Sequence, residues 1–173
     1  MKNRPLFLAL VYSGIYISAV LYLFFSKRFE LFNFIYLLGM GLVLPFVVLS
    51  IKLKRDEENG GFIGGRDAVK EGMKFVFFAT LILILFQSAF YHLGWKEFKA
   101  SSIPDFIRDK ANEANKLGKQ KIEEQQIQKI ISEQIKNITL FKEITFVFFR
   151  CIFVGFFSSF VAAFLMKKRR PSV

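Results

Sequence analysis

One cysteine, one histidine and no acidic residue inside any long apolar run leave little from which to assemble an active site. Cys151 alone forms neither a disulfide framework nor a thiolate metal set, so cysteine usage says nothing about redox compartment. A single histidine, His92, with no carboxylate in the apolar runs excludes a membrane metalloprotease, a diiron carboxylate centre and an aspartyl protease. An intramembrane serine hydrolase would need His92 as base for Ser158 or Ser159. The two positions fall roughly 20 Å apart in depth, beyond hydrogen-bond reach. Glycines cluster at 60, 61, 64 and 65, but no G-x-x-x-x-G-K-[ST] accompanies them, so they predict a turn rather than a phosphate cradle. No catalytic residue, metal or cofactor is expected.

Proline is also scarce. Only Pro45 interrupts an apolar run, where with Gly39 and Gly41 it predicts a kink.

What the chain has is apolar length. It is 53% hydrophobic with 24 Phe, yet 23% charged at a net charge of +11, and the two populations separate along the sequence. Residues 6–25, 31–51 and 75–95 carry no Lys, Arg, Asp or Glu, and 144–166 carries only Arg150. Each run is long enough to cross the ~30 Å hydrocarbon layer as a helix. The fold class expected is an all-α integral membrane protein: one membrane domain over 1–173, with four transmembrane helices and a long helical extramembrane loop, 96–143, between spans 3 and 4. The first run is too long for a signal-peptide core and lacks a small-x-small site, so it is read as an uncleaved span.

Basic residues gather at the span ends, which argues for membrane flanking rather than nucleic acid. Lys52, Lys54 and Arg55, with Lys167, Lys168, Arg169 and Arg170, are expected to meet anionic headgroups. The two sides of the membrane tie at twelve Lys and Arg each. On the side of both termini, however, the twelve are packed against span ends, while ten of the other twelve are diluted through the long loop. Short basic flanks stay in the cytoplasm, so both termini are expected inside.

In the second loop, residues 66–74 resume helical spacing, and Ala68, Val69, Gly72 and Met73 form an apolar strip suited to the membrane interface. In the third loop, Ser102, Pro104 and Asp105 read as a helix start. Phe106, Ile107, Ala111, Ala114 and Leu117 keep helical spacing up to Gly118, and Ile122, Ile127, Ile130, Ile131, Ile135 and Ile138 resume it. These are two helices or one bent one. With too few residues for an independent core, the apolar face must lie on the membrane, cap the span ends or meet a second copy.

Two features of the fourth run stand out. Cys151, Gly155, Ser159 and Ala163 recur every four residues as a small-residue packing seam. Gly14 and Ser18 make span 1 a plausible partner for it. Arg150 lies about 9 Å below the outer boundary, level with Gln87 and Tyr91 and one heptad from Glu143. The expected cluster is Arg150 bonded to Gln87 or a carbonyl, with Glu143 neutralising it at the rim. An anion or headgroup site at Arg150 is the functional alternative.

The segment GGFIGGRDAVKEG leading into the third run, with Gly61-Phe62-Ile63 followed by Ala68, Lys70 and Gly72, resembles the uncharacterised bacterial membrane proteins of domain-of-unknown-function family 4199. So does the ending from Ala163 to Lys168. The resemblance spans about residues 5–171. It implies a bacterial inner membrane and a translocated third loop, and it carries over no activity and no functional residue. The expected role is a non-enzymatic accessory or scaffold, whose partners are anionic lipids and another membrane protein or a second copy. The alternatives are a small transporter or channel subunit lined by Arg150, Gln87 and Thr80, or an anionic-lipid-binding protein using Arg150 and Gln87.

Overall fold

The computed structural model describes residues 3–116 and 123–167. The runs fall into helices α1 (Arg4–Phe25), α2 (Phe32–Leu53), α3 (Gly65–Phe90) and α6 (Leu140–Met166), each long and apolar enough to cross a membrane. Two further helices, α4 (Lys96–Lys116) and α5 (Glu124–Lys136), make up the third loop. The four spanning helices form a bundle in which α3 packs against α6 and α1, and α2 packs against all three. Two faces result. The terminal face holds Arg4, the end of α2, the start of α3 and the end of α6; the loop face holds the opposite ends and the α4–α5 hairpin.

Small residues line much of the interior and many phenylalanines point outward, although Phe32, Phe75 and Phe90 are buried in the core. Ala9, Ala68, Ala79, Gly72, Gly155, Ser159, Ala162 and Ala163 are buried, whereas Phe7, Phe77, Phe149, Phe153, Phe157 and Phe164 are more than half exposed. Between helices in lipid there is little hydrophobic gain from burying a ring, so close backbone approach at small residues sets much of the interior and many rings are left to the acyl chains.

Helix ends follow the local chemistry. After a π-helical turn at Lys54–Glu58, Gly60 and Gly61 adopt φ of 59° and 86° and turn the chain. The stretch expected to lie in the interface instead enters the bundle: Ala68 is fully buried, and Gly72 sits where an added Cβ would come within 3.0 Å of both Ser159 and Val47. Close packing against α6 and α2 outweighs interface burial there. α2 runs through Pro45 as one continuous helix.

The third loop also differs from its sequence reading. Helix α4 starts at Lys96, not near Ser102, and carries Pro104 inside it. The break falls earlier, at Gly94, whose φ of 114° bends the chain within the turn Tyr91–Trp95. Packing overrides the proline: Phe98 and Phe106 of α4 meet Phe29, and Phe98 also meets Phe32, Phe24 and Trp95. Helix α5 turns Ile127 and Ile131 onto Ala111 and Ile107 of α4. Of the three expected fates, capping of the span ends is observed, and the two helices also pack on each other, an arrangement outside those three. Leu117, Gly118 and Ile122 lie outside the described residues.

Candidate functional site

Arg150 projects from the second turn of the membrane portion of α6 into the bundle and is 8% exposed. Its Nη1 donates to the Tyr16 hydroxyl of α1 at 3.1 Å. The guanidinium carbon lies 5.1 Å from the Tyr16 ring centre, 5.0 Å from Tyr36 of α2 and 5.7 Å from Phe146. Three ring faces therefore do what water does outside. A weakly hydrated planar cation suits such a cage, each contact contributing up to about 2 kcal/mol when desolvated. No carboxylate among the described residues pairs with it.

The cage depends on Gly39. A Cβ there would come within 2.7 Å of the Tyr16 ring, and the Gly39 carbonyl accepts a 3.0 Å bond from the Tyr12 hydroxyl. The glycine read from sequence as a kink element is thus the seat of two tyrosines.

The other members of the expected cluster assemble elsewhere. Glu143, at the first turn of α6, accepts from Lys99 Nζ at 2.7 Å, Trp95 Nε1 at 3.2 Å and Gln87 Nε2 at 3.4 Å. Tyr91 donates to the Ile138 carbonyl at 3.2 Å. So Gln87 and Glu143 do meet, but Arg150 turns to Tyr16 and Tyr36 instead, because aromatic faces surround it before any carboxylate is reached. Lys99 is the residue that sequence reasoning passed over, since nothing in a solvent loop marks it as reaching back to a span. Around Trp95, the rings of Phe32, Phe90 and Phe98 lie within 6 Å, so α4 is joined to the spans by aromatic stacking and by the Glu143 latch. A cavity of about 300 Å³ opens beside it, walled by Phe29, Phe32, Tyr36, Phe106 and Lys99.

The packing seam is buried throughout, at Cys151, Gly155, Ser159 and Ala163. Its partner is α3 rather than α1. A Cβ on Gly155 would meet both Val76 methyls at 2.4 Å, while Gly14 and Ser18 are exposed and Gly14 faces open space. Close approach needs a small residue opposite a fixed side chain, and Val76 and Gly72 of α3 supply those contacts.

At the terminal face the basic residues are partly committed. Lys54 pairs with Glu71 at 2.9 Å, where Lys74 also reaches it at 3.4 Å, and Arg55 pairs with Asp56. Arg4 bridges to Glu57 at 2.7 Å and Glu58 at 3.4 Å. Of the expected headgroup contacts, Lys52 and Lys167 are exposed, Lys54 is spent on a buried carboxylate, and Lys168, Arg169 and Arg170 lie outside the described residues. Glu71, 5% exposed, was invisible as a bundle residue because it precedes the uncharged run.

The hydrolase pairing finds no support in this geometry. Ser159 donates to the Gly155 carbonyl and packs on Gly72, while His92 lies beyond the last residue of α3, roughly 30 Å further along the helix.

Fold and site together define a multi-pass membrane protein: a four-helix bundle with a caged internal cation and a helical hairpin latched to one face. Within that class, the chain belongs to the family of proteins of unknown function DUF4199, whose model matches residues 6–168. No curated protein and no solved structure matches the chain.

Proposed function

We propose that this protein is a non-enzymatic accessory or scaffold of a bacterial inner membrane, with both termini cytoplasmic and the α4–α5 hairpin presented to the periplasm for a partner. The observation that carries the reading is the latch. Glu143 gathers Lys99, Trp95 and Gln87, so the hairpin's base is fixed to the spans while the outward sides of α4 and α5 stay charged and exposed. A hairpin anchored by a buried tryptophan and a shared carboxylate is built to hold a surface still, which is what preorganised recognition requires. The basic span ends at Arg4, Lys52, Arg66, Lys70 and Lys167 support the cytoplasmic placement of the terminal face. A transport pathway through Arg150 has less support, because its guanidinium is enclosed by rings and already bonded.

The experiment is purification in native lipid nanodiscs with crosslinking, comparing the wild-type chain with a variant carrying reversed charges on the exposed side of α5. A partner or second copy that is recovered with the wild type and lost with the variant is expected. Recovery of monomers alone, with no co-purifying protein, overturns the reading.

A further inference from the structure

We propose that the groove between α3 and α6 at the terminal face binds a single anionic phospholipid. The groove, about 520 Å³, has Arg66 and Lys70 on one wall, Lys167 at its end, and Val69, Phe160 and Phe164 along its length, with Ala163 as part of the floor. Its size falls within the range of clefts that hold one small molecule. Polarity is graded along it. The cations sit only where α3 begins and α6 ends, and the apolar side chains continue from there toward the bilayer interior, matching a phosphate followed by an acyl chain.

None of the three cations is paired with a carboxylate among the described residues; Lys167 Nζ rests on the Phe164 ring at 4.7 Å. Glu71 is held by Lys54 and Lys74, and Asp67 is not part of the lining but lies beside Gly64. Three unneutralised positive charges around an apolar channel open to lipid leave a phosphodiester as the fitting counterion. The inference does not rest on the scaffold reading, since it concerns the opposite face of the bundle and holds in either leaflet.

Native mass spectrometry of the purified full chain in detergent, titrated with phosphatidylglycerol or phosphatidylcholine of the same acyl chains, tests it. A one-to-one phosphatidylglycerol adduct is expected, preferred over phosphatidylcholine. Each of Arg66→Gln, Lys70→Gln and Lys167→Gln should weaken it about five-fold, the effect of one charge at a membrane surface. Lys52→Gln, which removes an exposed charge outside the groove, should leave it unchanged. If one of these single variants does not fold, the other two carry the test, and Lys70→Gln breaks no ion pair among the described residues. Equal retention of the two lipids, or an equal loss from Lys52→Gln and Lys70→Gln, overturns the proposal.

Discussion

Both ends of this bundle pair a buried carboxylate with lysine, but the loop end also buries a cation that meets no carboxylate among the described residues. At the terminal face a carboxylate, Glu71, is met by two lysines, and Arg4 by two glutamates. At the loop face Glu143 is likewise paired, but Arg150, about two helical turns deeper on α6, is met by ring faces and one hydroxyl. The difference follows from depth. Near the headgroups, lysine stems can carry a charge to a carboxylate and still reach water; deeper in, a second ion would need its own desolvation, while aromatic rings solvate a cation without adding charge. The loop face is also where the aromatic residues that fix α4 are concentrated, so its polar and aromatic parts form one structure.

Five substitutions would break or sharpen this contrast. Trp95→Ala should have the largest effect, since the ring is 1% exposed, stacks on Phe90 and Phe98, and donates to Glu143. A loss of about 3–5 kcal/mol is expected, together with early proteolysis within α4 and α5, read by thermal unfolding and limited digestion in micelles. Glu71→Ala should come next. It leaves Lys54 facing the bundle without a counterion, at a cost of about 1–3 kcal/mol once the lysines' access to water is allowed for; thermal unfolding measures it.

Replacing the caged cation should cost less than removing that carboxylate. Arg150→Leu, which takes the charge and its desolvation away together, should change stability by about 1 kcal/mol or less in either direction. Tyr16→Phe, which keeps the charge and deletes its acceptor, should cost about 1–2 kcal/mol. A larger loss from Arg150→Leu than from Glu71→Ala would erase the distinction between the two ends. The smallest effect is expected far from either. The Glu113 carboxyl lies below its ordinary range because Lys110 donates to it at 2.8 Å. A depressed carboxylate contributes above its unfolded pKa and loses that contribution as pH falls through the folded value, below about pH 4. Because the pair is fully exposed and screened, Glu113→Gln should leave both the neutral melting temperature and the acid limb of the stability profile unchanged.

The sequence made the spans legible because four uncharged runs of spanning length have few other physical solutions. It also marked Arg150 and the seam at Cys151, Gly155, Ser159 and Ala163, since a charge in hydrocarbon and a four-residue small pattern are local signals. The partners were another matter. Gly14 and Ser18 have the same local signal as the seam yet face outward, while the facing Gly72 and Val76 belong to a four-residue series in α3, Ala68, Gly72, Val76 and Thr80, whose first members lie before the uncharged run. Ser102-x-Pro104-Asp105 is a good helix start in isolation, but Phe98 and Phe106 dock on the span tips and draw the helix start back to Lys96.

Composition and spacing alone thus determined how many times the chain crosses and which residues are costly to bury, because those depend on transfer free energy and helix rise along one segment. Only the tertiary structure decided that Arg150 meets Tyr16 and Tyr36 rather than Gln87, that Glu143 holds Lys99, and that the seam faces α3. Each of those depends on which helix stands beside which, a choice made by close contacts such as Gly39 on Tyr16 and Gly155 on Val76 between residues distant in the chain.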